Sequence, residues 1–290
     1  MRLRTALFGV LLFLQSALVL TGGAVRLTGS GLGCPTWPEC TPGSYTPVPH
    51  QAEGQLHAWI DFGNRLLTFA LLFSALAAVI YVLKSGRKDL RSLAAGQVLG
   101  IIGQGVLGGI TVLTDLHPLP VAGHLLLSML LIAGATSFYS RRHEPQVKIS
   151  APTKTVSLLS QTHIAISFIV LILGTIVTGS GPHAGDEKAQ RFGFDIRSVA
   201  ILHADAVIFL MGLTIALLVA ASVTHTTKKA IYIFFGISLA QGGVGYAQYL
   251  TGIPELLVAI HLAGATIFWI AAWRIRLSVV RTSQQERDQK

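Results

Sequence analysis

The chain has 290 residues, of which 51% are hydrophobic and only 12% are charged, and its formal net charge is +9 at pH 7. With a mean hydropathy of +0.61, this composition excludes an ordinary soluble globular domain and indicates an integral membrane protein in contact with lipid. The chain has no basic motif with interleaved aromatic residues, so we expect the positive charge to reflect membrane topology and not nucleic-acid binding.

Eight segments are candidates for membrane-spanning helices, because about 20 mainly apolar residues cross a hydrocarbon core of roughly 30 Å. Continuous apolar runs such as LLTFALLFSALAAVIYVL lack the alternation of a membrane β-strand. We therefore predict an all-α integral membrane protein. The predicted spans are 5–25, 60–83, 94–113, 121–140, 158–178, 198–221, 230–250 and 255–275.

The first segment leads into the run GGAVRLTGSGLGCPTWPEC, which contains the only two cysteines, Cys34 and Cys40. Its apolar stretch exceeds the roughly 7–15 residues of a signal-peptide core, so we expect it to remain as a helix. Five residues separate the cysteines, and one interpretation is a structural disulfide in an oxidising compartment. The other is a redox-active or substrate-tethering pair, because the matching loop at 181–186 has no cysteine.

The second segment carries polar residues near its start, namely Asp61, Asn64 and Arg65. Asp61 and Arg65 are four residues apart and share one helix face. They either pair with each other at the membrane interface or line a polar cavity between helices. His57 lies seven residues before Asn64, on nearly the same face.

The third and fourth segments contain an internal repeat, because residues 104–125 match residues 241–262 at a shift of 137 positions. The repeat places a histidine at the same position in both copies, His124 and His261. The TGSG run after the first segment also recurs after the fifth, at 178–181. We therefore predict two tandem four-helix bundles, and four crossings per half make them parallel and related by a pseudo-twofold axis along the membrane normal. The identical positions in the first copy are Gln104, Gly105, Gly108, Leu113, Thr114, Leu119, Val121, Ala122, His124 and Leu125.

The predicted halves are 1–150 and 151–290. Basic residues concentrate at the N-terminus and near 84–91, 141–154, 228–229 and 274–281, which all lie on one side if there are eight crossings. By the positive-inside rule this side is cytoplasmic. We therefore expect a multi-pass plasma-membrane protein with both termini in the cytoplasm and the cysteine loop on the outer side.

Four polar residues lie near the starts of the even-numbered helices: Asn64, His124, His203 and His261. At about 1.5 Å per residue they are roughly 7–12 Å below the helix starts and share one depth. Two neutral imidazoles at matched depth can bind a heme iron from both faces. A lone intramembrane histidine can also be a hydrogen-bonded structural residue, but the repetition favours a ligand. Zinc motifs such as HExxH are missing, and a transporter would have charged relays nearer the membrane middle.

Together these features resemble the heme A synthase family, and the resemblance covers nearly the whole chain. It is carried by the GGAVRLTGSGLGCPTWPEC run, the outer-side polar positions, the eight helices and the duplication. The resemblance implies oxidation of heme O to heme A, in which the methyl group at ring position 8 becomes a formyl group by successive hydroxylation and loss of water. It also implies that His203 and His261 are the metal ligands of a heme b cofactor in the C-terminal half.

In the N-terminal half the resemblance implies a site for the substrate heme O, formed by His124, Asp61 and the outer-loop cysteines, Cys34 and Cys40. The family usually has Glu-x-x-His-Arg on the second helix, where this chain has Asp61, Asn64 and Arg65. Asparagine is a poor iron ligand. We therefore expect His124 alone to hold heme O with one face open, or His57 to approach from the outer rim.

Different roles follow for the two halves, because a six-coordinate heme suits electron transfer and an open face suits chemistry. We assign electron transfer to the C-terminal half and catalysis to the N-terminal half. There Asp61 would accept a proton or stabilise positive charge as the methyl group is oxidised.

The propionates of the two hemes need cationic partners. Arg26 and Arg65 are candidates for the N-terminal half, because their repeat counterparts Ile176 and Ala204 are uncharged. The candidates for the C-terminal half are Lys188, Arg191 and Arg197. Any of these arginines could instead be an interface anchor.

Two other function classes remain. One is a b-type cytochrome that passes electrons to a quinone or another acceptor, and the other is a disulfide-exchange membrane protein that uses Cys34 and Cys40. The cysteine run favours the heme-oxidising enzyme, because an electron carrier has no evident use for it. The expected partners of the enzyme are heme O, heme O synthase and a quinone or other electron acceptor.

Overall fold

The structure of the protein, a computed structural model, describes residues 2–143, 153–187, 189–220 and 225–285. These residues contain eight α-helices that are long and apolar enough to cross a membrane. The predicted all-α multi-pass membrane class is confirmed, and each helix overlaps its predicted span. The helices are α1 (Arg2–Leu27), α2 (Gln55–Lys84), α3 (Arg91–Leu113), α4 (Pro118–Ser140), α5 (Lys154–Ser180), α6 (Ile196–Ala220), α7 (His225–Leu250) and α8 (Glu255–Gln285).

The chain forms two compact units. The first comprises Met1–Arg142 with Thr175–Ile196, and the second comprises His143–Gly174 with Arg197–Lys290. The last turns of α5 and the segment after it therefore group with the first unit. The division into functional halves and the pseudo-twofold axis stay predictions.

In the first unit the helices form a ring in the order α1, α2, α3, α4, because α1 packs on α2 and α4, and α3 packs on the same two helices. The apolar core lies at the end where α1 begins and α2 ends. There the ring of Phe8 lies 4.9 Å from that of Phe138 and 5.6 Å from that of Tyr81. The opposite end carries residues 28–54 and is called the loop end below.

In the second unit, side chains near the middle of the helices join all four. His163 on α5 lies 3.2 Å through Nε2 from the hydroxyl of Thr214 on α6, and its ring packs edge-on against Phe234 of α7 at 4.7 Å. Phe234 in turn packs on Phe268 of α8 at 5.0 Å. His163 is therefore a buried, hydrogen-bonded histidine of the core.

The bend between α3 and α4 recurs between α7 and α8 with the same backbone geometry. Leu116 and its counterpart Ile253 have φ values of 58° and 62°, in the left-handed region that bulky residues rarely adopt. Leu116 N–H donates to the carbonyl of Thr111 at 2.9 Å, and Ile253 N–H donates to that of Gln248 at 2.8 Å. The sequence repeat is thus also a repeat of local structure, and each copy presents its histidine on the helix after the bend.

Candidate functional site

His203 and His261 face each other in the second unit, one on α6 and the other on α8. Their ring centroids are 6.4 Å apart and the ring planes meet at 75°. With a metal–imidazole bond of about 2 Å, and a ring centroid about 1 Å beyond each nitrogen, two rings that share a metal lie roughly 6 Å apart. The observed separation fits two imidazoles that bind one metal ion from opposite sides.

The two rings, and that of His124 in the first unit, are held in the same way. Each lies against a glycine of the preceding helix, where a Cβ atom would come within 3.5 Å of the ring Cε1. In the described residues the Nδ1 atom of each ring is buried on the glycine side, 3.8–3.9 Å from that Cβ position, so Nε2 is left as the candidate metal ligand. The pairs are Gly174 with His203 (3.4 Å), Gly245 with His261 (3.5 Å) and Gly108 with His124 (3.3 Å).

At the loop end of the first unit, Cys34 and Cys40 form a disulfide with a Cα–Cα distance of 4.3 Å. Both residues are 0% exposed. Thiol–disulfide exchange requires access to a sulfur atom, so the buried bond fits the structural interpretation better than exchange. A role of the cysteines toward the substrate stays a prediction.

Asp61 and Arg65 on α2 hold this disulfide loop. Asp61 Oδ2 accepts hydrogen bonds from the backbone N–H of Cys34 at 2.9 Å and from Arg65 Nη2 at 3.1 Å. Arg65 also donates to the carbonyls of Cys34 at 2.6 Å, Thr36 at 3.0 Å and Glu39 at 3.2 Å. The two residues do pair, as one interpretation held, but the pair is covered by the loop and Asp61 is only 7% exposed.

The loop also contacts α3 beside His124. A Cβ atom on Gly109 would lie 2.6 Å from the indole of Trp37, so only glycine lets the ring pack here. Gly109 follows Gly108, which supports the ring of His124. Gly33, before the disulfide, packs on the backbone carbonyl of His57. The disulfide loop, Asp61 on α2 and the α3 turn that supports His124 thus meet at the loop end.

Asn64 is hydrogen-bonded to the neighbouring helix. The hydroxyl of Thr21 on α1 lies 2.8 Å from Asn64 Oδ1. Asn64 is nine residues beyond the start of α2, whereas His124, His203 and His261 are six or seven residues beyond the starts of their helices. An axial bond from this amide to a metal would compete with its bond to Thr21.

Two arginines of the first unit lie close enough for their charges to repel each other, Arg26 and Arg191. Arg26 Nη2 donates to the carbonyl of Thr178 at 2.7 Å. Arg26 Nε and Arg191 Nη1 are buried and have no hydrogen-bond partner among the residues that the structure describes. Partial desolvation lowers the pKa of Arg191. Two neighbouring cations with such donors are a candidate site for an anion such as a carboxylate.

The structure changes the predicted grouping of the cations. Arg191, which the sequence assigned to the C-terminal half, lies beside Arg26 in the first unit, whereas Arg197 belongs to the second. Lys188 lies outside the described residues. Arg65 donates to loop carbonyls, so Arg26 is the better placed of the two predicted propionate partners.

Sequence reasoning missed the three glycines that support the histidines, and also Trp37. Two of those glycines carried a signal, because Gly108 and Gly245 are identical positions of the repeat, each 16 residues before its histidine. Trp37 had none beyond its place between the cysteines, because its packing surface is on a distant helix.

Comparison with known proteins gives one family and several relatives with the same name. A family model described as COX15-CtaA, cytochrome oxidase assembly protein, matches residues 5–185. A heme A synthase of Sinorhizobium fredii is 25% identical over 91% of this chain and 87% of its own length. One of Rhizobium leguminosarum is 25% identical over 92% and 88%, and one of Shewanella oneidensis is 24% identical over 91% and 92%.

Proposed function

Because the chain belongs to the COX15-CtaA family of cytochrome oxidase assembly proteins, we propose that it is a heme A synthase. It is an oxidoreductase that converts the C8 methyl group of heme O to the formyl group of heme A. The relatives that carry this name align with about nine tenths of the chain. The structural observation that carries the proposal is the facing pair His203 and His261, with ring centroids 6.4 Å apart.

His203 and His261 are the residues that would hold heme b. Their spacing and the glycines that pack behind them fit two imidazoles that would hold one heme iron. Bound heme b would supply electron transfer.

The first unit would hold heme O. His124 supplies an imidazole, and the anion site of Arg26 and Arg191 supplies partners for propionates at the same end of the unit. The disulfide loop would cover the substrate on the side of Asp61 and Trp37. Charged and hydrogen-bonding side chains are therefore concentrated at the loop end, where the propionate edge of the porphyrin would lie.

Asp61 is the candidate base. Its hydrogen bonds in the described part of the chain are both made by Oδ2, with the Cys34 N–H and Arg65, which leaves Oδ1 to accept a proton from the substrate. With water as the source of oxygen, converting a methyl group and one water to a formyl group releases four electrons and four protons. A carboxylate beside the reacting methyl group can receive these protons in turn.

The proposed location is the plasma membrane, with both termini in the cytoplasm and the cysteine loop outside. The asymmetry of basic residues between the two sets of loops supports this orientation. The four electrons would leave through heme b to a quinone or another acceptor, and heme O synthase would supply the substrate.

The proposal is tested by expressing the chain in membranes that contain heme O and lack heme A, and extracting the pigments. We expect heme A to form with the wild-type chain and to be undetectable with His203→Ala or His261→Ala. Purified variants should also lose the low-spin optical signal of a six-coordinate heme b. A heme b signal without heme A in the wild-type sample would instead indicate a b-type cytochrome. Full heme A formation by both variants would contradict the assigned ligands.

A bulkier residue at Gly245 should weaken heme b binding. A Cβ atom there would already touch the ring of His261 at 3.5 Å, so the two further methyl groups of Gly245→Val would displace the ring. Overpacking of this kind costs about 1–3 kcal/mol, and we expect a fall in the affinity for heme b of about tenfold or more. The heme-to-protein ratio of the purified chain measures it.

Gly243→Val is the matched control for this prediction, because Gly243 lies on the same helix and no atom of the described residues lies within 4 Å of its added Cβ. Both variants lower the flexibility of α7 in the same way. Equal heme b content in the two variants would show that Gly245 does not support the ring.

A further inference from the structure

Gln104 on α3 is buried and has a fixed orientation. It is only 6% exposed. Its Nε2 donates to the backbone carbonyl of His124 at 3.0 Å and to the hydroxyl of Ser128 at 2.6 Å. Ser128 itself donates to the carbonyl of His124 at 3.1 Å. Turning the amide over would bring its oxygen against that carbonyl, so the Nε2 and Oε1 positions are determined by their surroundings.

The Oε1 atom of Gln104 is buried and has no hydrogen-bond partner in the described part of the chain. The other buried glutamine of α3 is different, because Gln97 Nε2 donates to the carbonyl of Leu131 at 2.9 Å and its Oε1 accepts from Gln15 at 2.9 Å. An unpartnered buried acceptor costs about 1–3 kcal/mol. A donor on a bound molecule, or a water molecule, can satisfy such an atom.

The position of Gln104 indicates which part of a ligand it would meet. It lies one helical turn before Gly108, on the side of the His124 ring away from the loop end. Arg26, Asp61 and the disulfide loop lie on the other side, toward the loop end. A porphyrin with its propionates at the loop end would turn its opposite edge toward Gln104.

The substrate has a hydroxyl group on that edge. In heme O the C8 methyl group shares a pyrrole ring with one propionate, and the hydroxyethylfarnesyl side chain projects away from the propionates. We infer that Gln104 Oε1 accepts the hydrogen bond of this hydroxyl, which makes Gln104 a specificity-determining residue for heme O over heme B. The inference rests on the proposed function, since it takes heme O as the ligand of the first unit.

The repeat provides a matched position in the second unit. Gln241 is the counterpart of Gln104, and its Oε1 also lacks a hydrogen-bond partner within the described ranges. Its amide lies against Gly264, whereas Gln104 bonds to Ser128. Heme b carries a vinyl group where heme O carries the hydroxyethyl group, so Gln241 has no such hydroxyl to accept.

The experiment is an optical titration of the chain that already holds heme b in its second unit. It is titrated with heme O and, separately, with added free heme B. In Gln104→Leu we expect heme O to bind about five- to tenfold more weakly relative to heme B, as for the loss of one buried hydrogen bond. In Gln241→Leu the ratio of the two affinities should equal that of the wild type. His124→Ala identifies the part of the signal that comes from the first unit.

The ratio of the heme O affinity to the heme B affinity distinguishes loss of the hydroxyl hydrogen bond from a general distortion of the site. Gln104→Leu also removes the bond to the His124 carbonyl, and a displaced His124 would weaken heme O and heme B alike. An unchanged ratio in Gln104→Leu, with a wild-type chain that converts heme O, would overturn the role of Gln104 alone. A wild-type chain that does not convert heme O would overturn the proposed function.

Discussion

Replacing Asp61 by asparagine is expected to lower the rate of heme A formation by about 10²- to 10⁴-fold, the range for loss of a general base. The substitution retains an oxygen that can accept the bonds of the Cys34 N–H and Arg65, which Asp61 Oδ2 accepts at 2.9 and 3.1 Å. It removes the negative charge and the capacity to take up a proton at Oδ1. Conversion of heme O by the purified variant, followed by chromatography of the pigments, measures the effect.

Two control variants separate proton transfer from anchoring of the loop. Asp61→Glu keeps a carboxylate on α2 and should retain far more activity than Asp61→Asn. Arg65→Met keeps the carboxylate but removes the bonds to the carbonyls of Cys34, Thr36 and Glu39. Heme b content should be normal in all three, since His203 and His261 are untouched. If Asp61→Asn were as active as the wild type, or no worse than Arg65→Met, Asp61 would not be the base.

The membrane fold was predictable because its signal is local. The hydropathy of about 20 consecutive residues identifies a membrane span without knowledge of its tertiary contacts, and the eight spans were found on that basis. The repeat carried equally direct information. It placed His124 and His261 at equivalent positions, and the structure repeats the bend before each of them.

The contacts of the loop end were not predictable, because they join residues far apart in the chain. The sequence showed Arg65 one turn after Asp61, but not that its guanidinium bonds to the loop at Cys34. It also assigned Arg191 by its distance along the chain, whereas folding brings that residue beside Arg26. Such pairings depend on how a loop packs over helix ends, which periodicity and composition do not encode.

The substitution Asn64→His should change the spin state of heme O bound to the first unit. Asn64 lies on α2, across the helix ring from His124 on α4. An amide bonded to Thr21 at 2.8 Å is a poor axial ligand, so we expect high-spin heme O in the wild-type chain. An imidazole at this position can bind iron opposite His124, and six-coordinate bis-histidine heme is low-spin. Most of the bound heme O should therefore become low-spin.

Optical and electron paramagnetic resonance spectra of the heme O-loaded chain, with the heme b signal subtracted, measure this change. Thr21→Val is the matched control, because it frees the amide of Asn64 without supplying an imidazole, and it should leave heme O high-spin. The combined variant His124→Ala with Asn64→His should lose the low-spin signal, since only one imidazole remains. If the wild-type chain already held low-spin heme O, a second ligand such as His57 would occupy the other face. That face would then not be open, and the asymmetry between the two units would need another chemical explanation.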